Sequence, residues 1–139
     1  MDSGSTDGVA LFASSGYANA YVVIKDSGSS DGAFIGAVGT STVLGTGGST
    51  VRSTIDSSGN FMVAKTSVGA ATAGFETRST GYTAITRDGG QPLEVRRLTD
   101  GGVLVDYRLA GTTVGTIGTT TNDYLHIGGT NTGIFFYNN

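Results

Sequence analysis

The sequence predicts an all-β fold of short strands joined by glycine-rich turns, and three observations predict it. First, 24 of the 139 residues are glycine, and 59 are Gly, Ser or Thr. Glycine costs about 1 kcal/mol at an interior helical site relative to alanine, so helix has little room. The longest glycine-free stretch, Tyr17 to Ser27, contains Tyr-Val-Val-Ile, which prefers strand. Second, nine aspartates stand against two glutamates; Asp favours turns where Glu favours helix. Third, apolar-alternating runs are cut by turn residues at close intervals, as in LTDGGVLVDYRLAGTTVGTI, Leu98 to Ile117.

The elements follow in order. DSGSTDGVALFA (Asp2 to Ala13) recurs as DSGSSDGAFIGA (Asp26 to Ala37), with seven of twelve positions identical. A shorter echo, DSSGNFMVA, runs from Asp56 to Ala64. Each copy is a polar turn followed by an apolar run, so each reads as turn then strand. The clearest hairpin is STVRSTID-SSGN-FMVAKTS, Ser49 to Ser67. Alternation places Val51 and Ile55 on one face, and Phe61, Val63 and Lys65 on one face after the turn. SSGN supplies the φ > 0 position that a tight loop needs.

From Tyr82 the rhythm tightens: YTAITR, DGG, QPLEVRRLT, DGG, VLVDYRLA. The two DGG turns begin at Asp88 and Asp100. QPLEVRRLT is expected to be a strand that tolerates Pro92 at its start. Val103, Val105, Tyr107 and Leu109 are expected on one face, with Leu104, Asp106 and Arg108 on the other. TTVGTIG, DYLHIG and GIFFY continue the series as a meander, prism or sandwich. Two segments are expected: 1–67, the turn–strand repeats and hairpin, and 68–139, the meander, continuing beyond the C-terminus in a longer parent protein.

Bulk properties exclude several functions. A net charge of -3 offers no basic field, so no nucleic-acid partner is expected. No cysteine is present, so disulfides and thiolate metal sites are excluded. No apolar run reaches the length of a spanning helix, so no membrane insertion is expected. Val, Ile, Leu and Phe number 32, thin for a self-sufficient core. Packing against a copy would remove more apolar surface from water.

Side chains able to carry chemistry are scarce. His126 in DYLHIGG is the sole histidine, and no GxSxG elbow accompanies it. It reads as an ordinary strand residue; three copies meeting on a trimer axis to bind an ion is the minor alternative. Glu76 and Glu94 are the only glutamates, and most aspartates stand in DG or DSG turns, where a local backbone hydrogen bond explains them. DSGSSDG lacks the ligand spacing of a calcium loop. DGG and GTGG lack the Lys-Ser/Thr of a phosphate loop. No catalytic residue, metal or cofactor is therefore expected. Tyrosines beside Asn, Thr and Asp can stack on sugar rings. Tyr17 (SSGYAN), Tyr124 (NDYLH) and Tyr137 (FFYNN) are the ligand-binding candidates, whereas Tyr107 reads as sheet cover.

Two stretches carry a resemblance. IDSSGNFMVAKTS (Ile55 to Ser67) and LEVRRLTDGGVLVDYRLAGTTVGTIGTTTNDYLHIGGTNTGIFFYN (Leu93 to Asn138) resemble the shafts and distal segments of bacteriophage tail fibres. The resemblance implies an elongated homotrimeric β-prism or β-sandwich-like fibre segment. It implies partners: copies of the chain, other virion or tail proteins, and a glycan or protein of the host surface. It implies a place on the virion, extracellular when acting. A virion-anchoring head and a C-terminal chaperone domain, usual in such proteins, are not recognisable, so a fragment or cleaved product is expected. The reading is non-enzymatic adhesion. A purely structural virion component (shaft, head fibre or capsid decoration) is the alternative, and a polysaccharide depolymerase the lesser one.

Overall fold

The computed structural model describes residues 15, 16, 18–28, 30–120, 124–129 and 132–136. The first repeat copy, and with it Asp2 to Ala13, lies outside them. Among the described residues the chain is all-β, with eleven antiparallel strands and no helix. Among the described residues no helix is long and apolar enough to cross a membrane. The chain forms two compact units, 1–92 and 93–139.

The first unit holds one seven-stranded sheet in simple meander order. Its strands are β1 (Asn19–Ile24), β2 (Ala33–Val38), β3 (Ser41–Thr46), β4 (Thr50–Ile55), β5 (Phe61–Val63), β6 (Gly74–Thr77) and β7 (Thr83–Thr86). The second repeat copy is the turn before β2 followed by β2 itself. The SSGN turn joins β4 to β5, with Gly59 at φ 79°. Asp56 secures that turn: its Oδ1 accepts from the Ser58 and Asn60 amides, each at 2.9 Å. Asp26 does the same for the Gly28 amide at 3.1 Å.

Residues directly opposite in an antiparallel ladder share a face. One face carries Tyr21, Gly36, Val43, Thr54, Met62, Glu76 and Ala84 in a single cross-strand row. Val43, Thr54, Met62 and Glu76 in this row are buried, as is neighbouring Phe34. The Phe34 ring lies over Gly45, where an added Cβ would meet it at 1.9 Å. Tyr21 packs on Phe34 with ring centroids 4.5 Å apart. Segment 65–72 lies over the β5–β7 end of this face: Thr86 holds the Ala70 carbonyl at 2.9 Å, and Lys65 holds the Gly69 carbonyl at 2.6 Å, while Val23 on the edge strand β1 is exposed.

The opposite face carries Val22, Ile35, Leu44, Ser53, Val63, Phe75 and Ile85, one residue from each strand. Val22, Ile35, Leu44, Val63 and Ile85 in this row are exposed, from 37% to 49%, whereas Phe75 is half-buried and Ser53 buried.

The second unit holds a four-stranded sheet in the order β11-β10-β9-β8. Its strands are β8 (Gly102–Leu109), β9 (Thr112–Thr119), β10 (Leu125–Gly128) and β11 (Gly133–Phe136). Val105, Ile117, Ile127 and Ile134 form an entirely apolar row across it. Ile127 and Ile134 are exposed.

Four features differ from the alternation read in the sequence. A bulge where β3 meets β4 inserts Arg52, so Val51 opposes Gly45 on the Phe34 face while Ile55 opposes Thr42 on the other. Ala64, at φ 61°, ends β5, and Lys65 leaves the Phe61–Val63 face to meet Glu76. A bulge at Leu104 puts Val103 opposite Gly118 and Val105 opposite Ile117, on different faces. QPLEVRRLT is not a strand: no residue from 87 to 101 belongs to one. The sequence reading divides the chain between residues 67 and 68; β5 and β6 pair across that point, and the compact units divide at 92 and 93.

Candidate functional site: a buried ion cluster and uncovered sheet faces

Glu76 stands on β6 opposite Met62, fully buried. Its Oε2 accepts from Lys65 Nζ at 2.6 Å and from the Gly69 amide at 2.8 Å. Its Oε1 accepts from Arg78 Nε at 2.9 Å and Nη2 at 2.7 Å. Arg78 in turn lies over the Tyr82 ring, 4.8 Å from its centroid. The Lys65 hydrogen bond, then the Gly69 amide, then Arg78, hold the Glu76 carboxyl down at about 2 against the opposing effect of burial. All four bonds reach the carboxylate from the protein, so it faces no open space. Its work is to tie segment 65–72 and β6 together.

The other glutamate, Glu94, is exposed and paired with Arg96 through Nε at 2.8 Å. Asp106 accepts from Arg108 Nε at 2.6 Å and from the Thr113 hydroxyl at 3.3 Å, contacts that hold its carboxyl below the usual range. Among the described residues, no group of three or more His, Asp or Glu side chains could hold a metal ion.

Of the tyrosine candidates, Tyr124 alone is described; Tyr17 and Tyr137 lie outside the described residues. Tyr124 is half-buried just before β10. Its carbonyl accepts from the Thr120 amide at 3.0 Å, and its amide donates to the Thr120 hydroxyl at 3.4 Å, tying the residue after β9 to the residue before β10. His126 pairs with Gly118 and Phe135, on the face away from the isoleucine row. Its ring stacks on Phe135 at 4.7 Å, and Gly133 leaves room for it, since an added Cβ there would lie 2.4 Å from Nε2.

Sequence reasoning missed the uncovered rows as features. Each row takes one residue per strand, from positions far apart in the chain, so only the register brings them together. A groove of about 150 Å³ crosses the larger row, lined by Ile35, Leu44, Ser53, Ile55 and Phe61 among others. It opens where Ser53, the one small residue of the row, stands between Leu44 and Val63. Compared with known proteins, the chain matches no family profile, no curated relative and no solved structure.

Proposed function

We propose that the chain is a segment of a bacteriophage tail fibre that works as a homotrimer and adheres, without catalysis, to a glycan or protein of the host-cell surface. In this reading it resides on the virion, acts outside the cell, joins other virion or tail proteins, and needs no cofactor. The observation that carries it is the pair of single-layer sheets, each with an apolar row open to solvent. A sheet must bury its apolar face against another layer to be stable. Burying a Val, Leu, Ile or Phe side chain completely is worth about 1.5–3 kcal/mol, so covering these rows with copies supplies a core that one chain lacks. Linked copies then present several weak sites at once, which raises avidity without new contacts.

Tyr124 is the described residue assigned to the receptor surface. The test is retention of the fluorescently labelled chain on a panel of bacterial envelopes, with envelope polysaccharide as competitor. Saturable, competed retention supports adhesion. No retention on any envelope sinks it and leaves the structural virion component, which the unbroken seven-strand row favours. Release of oligosaccharides from the polysaccharide would instead point to a depolymerase.

A further inference from the structure

We propose that a groove in the second unit binds a carboxylated sugar, a hexuronate ring of a larger saccharide, with Arg97 on the carboxylate and Asp100 on the hydroxyls. Only the source of that sugar rests on the adhesion reading; the groove itself lies within one unit. Segment 95–101 forms it together with Leu104 of β8 and Thr119 of β9. Its volume is about 490 Å³, within the range of small-molecule sites.

Arg97 is held in place yet has no carboxylate. The other two arginines of the unit are bound to one each, Arg96 to Glu94 and Arg108 to Asp106. Arg97 Nε donates to the Thr99 carbonyl at 3.2 Å, and its Nη1 and Nη2 meet no acceptor among the described residues. The guanidinium packs on Gly102, where an added Cβ would lie 2.8 Å from Nη1 and 2.9 Å from Cζ. Gly102, at φ 153°, is the residue type that allows both this backbone and this approach. A guanidinium tied through Nε, with two amino groups unmatched, presents a planar pair of donors. A carboxylate is the planar partner that takes both.

Asp100 selects a sugar over a bare anion. It opens the second DGG turn at φ 57°, a left-handed conformation that strains a residue with a Cβ. Asp26 and Asp56 accept from the amides of their own turns. Asp100 makes no such bond, and no ion pair joins it to Arg97 among the described residues. The groove thus holds a cation and an anion that do not satisfy each other. One uronate ring carries an acceptor for the first and hydroxyl donors for the second. Repulsion from Asp100 keeps the carboxylate at the Arg97 end. The Thr99 and Thr119 hydroxyls add polar partners, and Leu104 and Leu98, the latter 88% exposed, offer apolar cover to the C–H face of the ring.

The test titrates trigalacturonate into the full chain by calorimetry, with galactotriose and inorganic phosphate at matched ionic strength for comparison. Trigalacturonate should bind saturably, and uncharged galactotriose about tenfold more weakly. Arg97→Gln should weaken trigalacturonate about tenfold, and Arg97→Lys nearly as much, because lysine keeps the charge and loses the fork. Arg97 lies outside every strand, so these variants leave the sheet intact. Arg108→Gln removes the same charge from the same unit and should leave binding unchanged. Asp100→Gly, which suits the left-handed turn, should weaken trigalacturonate about fivefold and leave phosphate unaffected. Failure of trigalacturonate to bind, phosphate binding as tightly, or indifference to Arg97→Gln overturns the proposal. Envelope retention by a chain that does not bind trigalacturonate overturns the groove alone. Trigalacturonate binding by a chain that no envelope retains overturns adhesion and leaves the groove standing.

Discussion

Lys65 Nζ lies 2.6 Å from Glu76 Oε2, with 1% and 0% of the two side chains exposed. The pair joins the segment that leaves β5 to the strand that follows it, on the closed face of the larger sheet. Lys65 reaches there because Ala64, at φ 61°, turns the chain after Val63. Its stem runs along Gly74, where an added Cβ would lie 3.0 Å from Cδ. Its ammonium also holds the Gly69 and Thr72 carbonyls, at 2.6 and 3.3 Å.

Removing one partner of a buried pair leaves the other uncompensated, which costs more than replacing both with apolar groups. Lys65→Met should therefore lower the melting temperature by on the order of 10 °C. The double variant Lys65→Met/Glu76→Leu should recover a large part of that loss. Arg78, 35% exposed, stays hydrated when Glu76 is gone. Thermal unfolding of the two single variants and the double variant measures the coupling; equal, additive losses would contradict it.

The same cluster sets the acid limit. The Glu76 carboxyl is depressed from its ordinary 4.5 to about 2, so the folded state binds its proton more weakly than the unfolded state. Its contribution is fully present above about pH 4.5 and is lost as pH falls toward 2. Asp56 and Asp106, also depressed, act with the same sign. Melting temperature should hold steady from neutrality to about pH 5 and then fall. In Glu76→Gln the fall should be shallower from a lower plateau. An unchanged acid slope would remove Glu76 from the account.

Gly45 should resist any side chain. Its Cβ would lie 1.9 Å from Phe34 Cζ and 2.3 Å from Cε1, and Phe34 is 4% exposed with little space to move into. Gly45→Ala should cost about 1–3 kcal/mol by overpacking, measured by urea unfolding. Gly45→Ala combined with Phe34→Leu should regain part of that cost.

The fibre reading predicts a role for Tyr124. Tyr124→Ala should weaken retention on a binding-positive envelope about tenfold, roughly 1.4 kcal/mol, at unchanged mass. Phe135→Ala, beside His126, gives the comparison on the same sheet. Unchanged retention in Tyr124→Ala moves the receptor surface elsewhere.

The fold class was legible because glycine, aspartate and β-branched residues act locally. The Asp26 and Asp56 turns, the Gly59 loop and the alternating runs needed only their own neighbours. Faces were less legible because one extra residue reverses them. Arg52 does so in β4 and Leu104 in β8, and neither differs in type from an ordinary strand residue. Lys65 was placed with Phe61 and Val63 because Ala64 carries no sign of its left-handed conformation. Leu93 to Leu98 alternate well enough to read as a strand, yet no ladder includes them. The open row was invisible for a different reason: Val22 and Ile85 share it only through five intervening strands.

Light scattering of the unmodified chain tests the central claim most directly. The account predicts one species at three times the chain mass of 14.0 kDa, unchanged on tenfold dilution. A folded species at 14.0 kDa would contradict it, because both apolar rows would then face water in a stable protein.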